Sequence, residues 1–374
     1  MQRSKCVRGV LAALFIAGVC SGQTTTTDTP APAANSIWSA GPIQFSGLVD
    51  GYYSLNFNHP RSRVNNLRNF DAKANQFSLN MVKITAEQAP DPVGFRVDLG
   101  FGRAFDIFHA AEPGGIGFMR NVMQAYLSVK PASWHGFQFD FGKFVTSAGA
   151  EVTETHLNWN YSRSLLYANA PYYHFGARTT FPVNKHFTAG VQLVNGWNNV
   201  EDNNTGKTVG FTTAVTASKL AWYNNYYVGP EKTDTNKGLR HFYDTVVQVN
   251  PAGRVNFLVN FDYGQENMPG ARAAKFYGVS TAMRFLLGNN WAISPRYDWY
   301  KDRDGFITAY GQDLTLQAFT MTFDYKMKEG FLSRFEYRRD SSSNPFFDRG
   351  YQTANATSMN TLLAGFVVYF GPKR

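Results

Sequence analysis

The chain has 374 residues, a formal net charge of +9 at pH 7 and 16% aromatic residues. Both of its cysteines, Cys6 and Cys20, lie near the N-terminus, so the remaining chain has no thiol for a disulfide, a zinc site or cysteine catalysis. Lysine and arginine are scattered rather than clustered, which argues against nucleic acid as a partner.

The first 22 residues have the pattern of a secretory signal peptide. Three basic residues precede the apolar run 10–20, and cleavage is predicted before Gln23. A transmembrane anchor is the alternative, but the run is shorter than the roughly 20 residues that a membrane helix needs. Residues 23–42 are rich in Thr, Pro and Ala, which predicts a flexible periplasmic lead-in, and residues 43–374 are predicted to form one domain.

The first segment of this domain, residues 43–57, alternates between apolar and polar positions along its whole length. A period of 2 is that of an extended strand, whose successive side chains point to opposite faces. Soluble strands are commonly about 5–6 residues long, whereas a tilted strand needs about 9–11 residues to cross the hydrocarbon layer of a membrane. Aromatic residues at both ends of the apolar face fit the two membrane interfaces. The segment therefore predicts a transmembrane β-strand.

The same alternation recurs along the chain in about sixteen segments, an even number typical of bacterial outer-membrane barrels. The segments are 43–57, 76–88, 94–102, 121–130, 137–145, 173–181, 187–196, 208–217, 220–228, 241–250, 255–265, 275–286, 291–301, 314–326, 331–340 and 358–370. Short links rich in Pro, Gly and Asn alternate with long links. The fold class is therefore all-β, a transmembrane antiparallel up-and-down barrel with periplasmic turns and extracellular loops.

Charged residues occupy the positions opposite the apolar face of each strand. Because a charge facing lipid costs about 2–4 kcal/mol near the midplane, these residues are predicted to line the lumen. They are Asp50, Arg96, Asp98, Asp140, Arg178, Asp244, Asp262, Arg284, Arg296, Asp298, Arg334, Glu336 and Arg338. Two interpretations stay open: ion pairs between strands that satisfy a wet interior, and a transverse field that filters solutes.

The third long link, residues 146–172, has no strand pattern and is a candidate for the constriction of a pore. Its large apolar side chains predict that it folds into the lumen rather than into open water. The residues predicted to act there are Glu151, Glu154, His156, Trp159 and Arg163.

The sequence gives no signal for an enzyme. His109, His156, His174 and His241 are isolated, and no nucleophile motif such as G-x-S-x-G is present. No metal-binding spacing is found either, so no metal and no cofactor are predicted.

Several motifs resemble those of the OmpL-like outer-membrane β-barrel porin family. The motifs are Asp140-Phe141-Gly142-Lys143-Phe144, Glu151, Asn158-Trp159-Asn160-Tyr161-Ser162-Arg163-Ser164, Asn225-Tyr226-Tyr227, Gly229-Pro230-Glu231 and Glu336-Tyr337-Arg338-Arg339-Asp340. The resemblance covers nearly the whole mature chain and implies a pore-forming barrel, without implying a substrate.

The leading hypothesis is a water-filled channel in the outer membrane of a Gram-negative bacterium, for passive diffusion of small hydrophilic solutes. About sixteen strands enclose a lumen wide enough for solutes, and the basic surplus predicts a mild anion preference. The alternative is a non-conducting surface-binding or structural barrel that acts through its extracellular loops. Expected partners are outer-membrane lipid and the barrel-assembly machinery, which recognises an aromatic-ended terminal strand such as 358–370. Whether the protein is a homo-oligomer is left open.

Overall fold

The computed structural model describes residues 38–112, 117–328 and 330–372. The predicted signal peptide and most of the predicted lead-in lie outside these ranges. Sixteen long strands make up most of the described chain. They are β1 (Ile43–Asn56), β2 (Gln76–Gln88), β3 (Val93–Phe101), β4 (Val122–Val129), β5 (Gln138–Val145), β6 (Tyr173–Pro182), β7 (Phe187–Val194), β8 (Thr208–Ala217), β9 (Leu220–Pro230), β10 (Leu239–Val249), β11 (Val255–Glu266), β12 (Ala274–Leu287), β13 (Trp291–Asp302), β14 (Leu314–Lys328), β15 (Phe331–Ser342) and β16 (Ser358–Phe370).

Every strand pairs antiparallel with the next strand in sequence, and β16 pairs with β1, so the sheet closes on itself. The closing register places Tyr53 opposite Ala364 and Val49 opposite Val368. Closure leaves no open sheet edge, as a barrel in lipid requires. The predicted sixteen-stranded antiparallel barrel is confirmed.

The connections alternate in length, as predicted. At one end of the barrel the turns are short, for example Ser218–Lys219 between β8 and β9. At the other end, here called the long-loop end, the links include α1 (Arg103–Phe108), α2 (Leu165–Ala168) and a small hairpin of Phe347–Arg349 with Gln352–Ala356. Within the described ranges, no helix has the length and apolar character needed to cross a bilayer.

The two faces of β11 show how the alternation sorts side chains. Val259 and Phe261 are exposed on the outside of the barrel, whereas Asn260 and Asp262 are 2% exposed and point inward. An apolar outer face avoids the cost of placing charge in lipid, and the polar inner face surrounds the lumen. The outer and inner faces of β11 are therefore those that the sequence alternation predicted.

Residues 38–42, which composition assigned to the flexible lead-in, pack against the barrel instead. Ser39–Ala40 pairs with the start of β1, and the Trp38 ring lies 4.9 Å from the Phe370 ring at the end of β16. The Phe45 amide also donates to the Trp38 carbonyl at 2.7 Å. This tilted aromatic contact and the backbone pairing therefore fix the segment, although its composition resembles that of a linker.

We expect Val259→Arg to lower the free energy of unfolding by about 2–4 kcal/mol, because this exposed side chain lies near the middle of β11 and faces lipid. Phe77→Arg, at the rim of β2, is the matched control and should cost at most about 1 kcal/mol. Urea unfolding in phospholipid vesicles measures both changes. Equal costs would contradict this placement of the membrane.

Candidate functional site

Residues 146–172, here called the lumen loop, run from β5 to β6 and fold into the barrel. The loop contains a 3-10 turn at Thr155–Leu157 and the single helical turn α2. Tyr161 and Leu166 are 1% exposed and Leu165 is 0% exposed, so its apolar side chains are removed from water. The apolar composition that argued against an external loop accounts for this burial.

Arginines on the inner wall hold the backbone of the lumen loop. Arg334 Nη1 donates to the Thr155 carbonyl at 2.6 Å and to the Asn160 carbonyl at 3.0 Å. Arg296 Nη1 donates to the Ser162 carbonyl at 2.7 Å. A segment without regular secondary structure has unpaired carbonyls, and the planar guanidinium supplies several donors in a fixed geometry. These contacts satisfy backbone groups that burial would otherwise leave unpaired.

Arg296, Arg334 and a third wall arginine, Arg338, also form ion pairs with wall carboxylates. Arg338 contacts the loop as well, through the Arg163 carbonyl. Arg334 Nε lies 2.7 Å from Asp324, Arg296 Nε lies 3.2 Å from Asp298, and Arg338 Nη2 lies 2.7 Å from Asp340. All three arginines are at most 3% exposed. Each carboxylate therefore compensates a buried charge and leaves the remaining guanidinium donors directed at the loop.

Two wall carboxylates hold the loop through its donors. Glu336 accepts the backbone N–H groups of Tyr161 at 2.7 Å and Ser162 at 3.0 Å. Asp50 accepts the Tyr161 hydroxyl at 2.8 Å and the Thr155 hydroxyl at 2.5 Å. The loop is thus fixed from both β1 and β15, on either side of the barrel closure.

Glu151 and Glu154, predicted at the constriction, both form ion pairs with the wall. Glu151 lies 2.8 Å from Arg296 and also accepts the Ser164 amide at 2.7 Å. Glu154 pairs with Lys83 on β2. Burial opposes ionisation of Glu154, but the Lys83 ammonium holds its pKa below the usual value. Both side chains therefore fasten the loop to the wall.

His156 and Trp159 lie on opposite sides of the loop. The His156 ring stacks on Tyr369 of β16 at 4.5 Å, and burial lowers its pKa to about 4, so the imidazole is neutral at pH 7. Trp159 packs against the cluster that contains Leu258 and Ala282 of the β11–β12 wall. Neither residue adds a charge to the lumen at neutral pH.

Arg163 binds the loop itself rather than facing open space. Its Nε donates to the Val152 carbonyl at 2.7 Å and its Nη2 to the Thr153 carbonyl at 2.8 Å, and the residue is 1% exposed. The guanidinium also lies over the Phe70 ring at 5.3 Å. Arg163 thus ties the two arms of the loop together, so we expect its replacement to loosen the loop rather than to tune a field in the lumen.

The other residues predicted to line the lumen lie on the inner wall, and most form pairs between strands. Asp98 lies 3.1 Å from Lys83 of β2, as well as 3.0 Å from Arg96 of its own strand, and Asp140 lies 2.8 Å from Arg178. Arg284 lies 2.8 Å from Asp324. These distances are those of ion pairs that satisfy an interior of mixed charge.

Asp244 and Asp262 differ from the other carboxylates, because they are directly opposite each other on β10 and β11. Asn260 Nδ2 donates to Asp244 at 2.7 Å and to Asp262 at 3.0 Å. Within the part of the chain that the structure describes, neither carboxylate forms an ion pair with Lys or Arg. The Asn260 amide therefore occupies the position that a Lys or Arg side chain has in the other pairs.

Sequence reasoning missed several residues that hold this interior. Asp324 and Asp340 lie on the inward parity of their strands, so the pattern contained a signal for them. The sequence pattern contained no signal for Lys83, because β2 has a bulge at Asn80. Gly51 of β1 pairs with Leu79, and the preceding Asp50 pairs with Met81. The extra residue reverses the parity beyond it and turns Lys83 inward.

A second loop, residues 57–75, also folds inward without a signal in the sequence. Its Arg68 lies 2.6 Å from Asp340 and 2.5 Å from Asp71, and Phe70 is 1% exposed. Parity applies only to strands, so it does not predict where the side chains of a loop point.

A narrow gap separates the lumen loop from the β11–β13 wall, and it is called the lumen gap below. Its cavity volume is about 30 Å³, about the volume of one water molecule in the liquid. Trp159 and Glu151 line it from the loop, and Ser280, Ala282 and Arg296 line it from the wall. The lining combines the large apolar side chains of Trp159 and Leu258 with small and polar ones.

Within the described residues, no three His, Cys, Asp or Glu side chains are grouped to hold a metal ion. The carboxylates of Asp50, Glu151 and Glu336 all accept hydrogen bonds from the loop.

A closed barrel of sixteen antiparallel strands with a loop folded into its lumen defines a porin-like outer-membrane protein. The chain belongs to the beta-barrel porin-2, OmpL-like family, whose model matches residues 42–370. The resemblance read from the motifs is confirmed.

Solved structures share the fold at low sequence identity. OmpT of Vibrio cholerae is 13% identical with a TM-score of 0.58, over 90% of this chain and 100% of that chain. The outer membrane channel DcaP of Acinetobacter baumannii is 10% identical with a TM-score of 0.58, over 88% and 97%. An anion-selective porin from Comamonas acidovorans is 11% identical with a TM-score of 0.57, over 88% and 99%. Comparison with curated protein sequences found no match.

We expect Arg334→Lys to release the lumen loop, because lysine keeps a charge for Asp324 but cannot reach the three loop carbonyls that Arg334 binds. Each charge-assisted hydrogen bond lost should cost about 1.5–3 kcal/mol. Chymotrypsin digestion followed by mass spectrometry should show new cleavage after Tyr161 or Tyr167.

Arg178→Lys is the matched control, since Arg178 pairs with Asp140 and, among the described residues, makes no hydrogen bond to the lumen loop. Cleavage of both variants at the wild-type rate would show that the arginine contacts do not hold the loop.

Proposed function

We propose that the protein is a narrow channel for passive diffusion of small hydrophilic solutes across the outer membrane of a Gram-negative bacterium, with the long-loop end outside. The observation that carries this proposal is a polar lumen that one loop crosses, within a barrel of sixteen strands. Barrels of about eight strands are filled by side chains, whereas this strand number encloses more space than its wall residues fill. The role is transport rather than catalysis.

The inner wall of β6–β9 supports an open route at the end with short turns. Thr180, Thr188, Thr212 and Ala214 lie on the inward parity of their strands and remain partly exposed. The inward residues of β13–β15 are buried under the lumen loop. The loop thus occupies one side of the lumen, and we propose that solutes pass along the other side and are limited by the loop. Widening the lumen gap at Glu151 and Trp159 would join the gap to this path.

Selectivity by charge should be weak. The mild anion preference expected from the net charge has little support from where the charges lie, because buried carboxylates outnumber buried cations in the described ranges. The buried cations are Arg68, Lys83, Lys143, Arg163, Arg178, Arg296, Arg334 and Arg338. The buried carboxylates are Asp50, Asp71, Asp98, Glu112, Asp140, Glu154, Asp244, Asp262, Glu266, Asp298, Asp302, Asp324, Glu336, Asp340 and Asp348. The excess of Lys and Arg over Asp and Glu in the whole chain therefore lies outside the buried interior.

The partners we propose follow from the outer surface. The apolar strand faces suit lipid or a second copy of the chain, and one structural neighbour, OmpT of Vibrio cholerae, was solved in a trimer form. β16 ends in Phe370, which fits recognition of the terminal strand by the barrel-assembly machinery.

A non-conducting barrel is the second candidate, and the tight fixation of the lumen loop favours it. Wall side chains on β1, β2, β13 and β15 all bind the loop. If no solute path passes these contacts, the protein would act through its extracellular loops.

Planar-bilayer recording separates the two candidates. We expect small channels from the intact protein and a higher single-channel conductance after deletion of residues 152–164, because the loop leaves the lumen. Trp159→Ala should also raise the conductance by enlarging the lumen gap, whereas Trp134→Ala, in a turn outside the lumen, should not.

Bilayers that stay silent with the intact protein but conduct after the deletion would support the non-conducting barrel. An unchanged conductance in the deletion variant would place the limiting constriction elsewhere. Reversal potentials in a salt gradient, taken in the same recordings, should show only weak selectivity that falls as ionic strength rises.

A further inference from the structure

A separate cavity of about 300 Å³ lies at the long-loop end, at the lower limit of typical ligand pockets. It is called the outer cavity here and is walled mainly by three loops: the end of the lumen loop, the link after β7 and the link after β9. Its lining includes Asn169, Tyr172, Trp197, Asn198, Asn199 and Arg240. Three of these six side chains are asparagine amides.

The amides keep groups available for a ligand. Asn199 is only 4% exposed and lines the cavity, and no other residue of the described ranges hydrogen-bonds its side chain. Asn198 Oδ1 accepts the Tyr172 amide at 2.7 Å, which leaves its Nδ2 as a donor. Asn169 Nδ2 donates to the Leu165 carbonyl at 2.8 Å, which leaves its Oδ1 as an acceptor. A ligand that pairs these groups replaces their hydrogen bonds to water with hydrogen bonds to the ligand, which contributes to affinity.

The charges around the outer cavity are largely balanced. Arg240 Nε lies 2.6 Å from Glu266, and its guanidinium lies over the Trp197 ring at 4.8 Å. Glu231 accepts the Trp197 amide at 2.8 Å, and burial raises its pKa to about 7, so it is only partly ionised at neutral pH. The cavity therefore has little net charge with which to attract an ion, and its specific feature is a mixture of donors and acceptors.

We propose that the outer cavity binds a small neutral polyhydroxylated solute, of the size and chemistry of a monosaccharide. Each sugar hydroxyl both donates and accepts, which matches amides that present both kinds of group. The C–H faces of a sugar ring can pack on the apolar part of the lining, at Tyr172 and Ile307. This site is distinct from the lumen gap, and binding there does not require that the barrel conduct.

Calorimetric titration of the full-length barrel tests the proposal, in an amine-oxide detergent that has no sugar headgroup. The probes are D-glucose, D-galactose and D-mannose, with glutamate and gluconate as charged comparators. We expect saturable binding of at least one sugar and weaker binding of both anions.

Two variants locate the site. Asn199→Ala removes the unpaired amide and should weaken sugar binding about tenfold. Ala168→Leu fills the cavity without removing a polar group and should have a similar effect. Asn355→Ala, in the exposed hairpin, and Ala252→Leu, in a turn at the opposite end, are the matched controls and should bind as the wild type does. Heat-modifiable migration on gels shows that each variant is folded.

Absence of saturable binding for all three sugars would overturn the proposal. Tighter binding of glutamate or gluconate would also overturn it, and would identify an anion site. Wild-type affinity in both folded cavity variants would place the sugar elsewhere. None of these results depends on conductance, so failure of the channel proposal would be recognised separately.

Discussion

The structure depends on one constraint, which is that a strand in lipid must pair all of its backbone groups with other strands. The chain meets it by pairing β16 with β1, with Tyr53 opposite Ala364 and Val49 opposite Val368. Closure in turn creates an interior whose wall carries many charged and polar side chains. Those groups need water or protein partners, and the lumen loop supplies partners for part of the wall.

The filled part is built by arginine. Arg296 and Arg334 each join a wall carboxylate to carbonyls of the lumen loop, so one side chain compensates a charge and pairs backbone groups together. Lysine carries the same charge but lacks the planar array of donors. Because such buried groups are costly when a partner is lost, the loop should hold one position. A fixed loop gives the lumen a defined width, which a diffusion channel that selects by size requires.

The polar groups that line the outer cavity are used differently from those around the lumen loop. Around the lumen loop most donors and acceptors are paired within the protein, with exceptions such as His156 Nδ1 and the Tyr300 hydroxyl, and in the outer cavity the Asn199 amide has no partner among the described residues. Unused groups in a cavity at the barrel mouth fit a place where a solute pauses before entry.

The sequence by itself determined the strands, their number and the faces they present, because a period of 2 over long segments has one physical meaning in lipid. It also placed residues such as Arg296 and Arg334 inside, since charge is excluded from the outer face. Only the tertiary structure decided what breaks that period. A bulge at Asn80 turns Lys83 inward, and contacts distant in sequence direct Arg163 at its own loop and Arg68 at Asp340. Contact between the Trp38 and Phe370 rings orders a segment with the composition of a linker. These outcomes depend on contacts between distant parts of the chain, which local alternation does not encode.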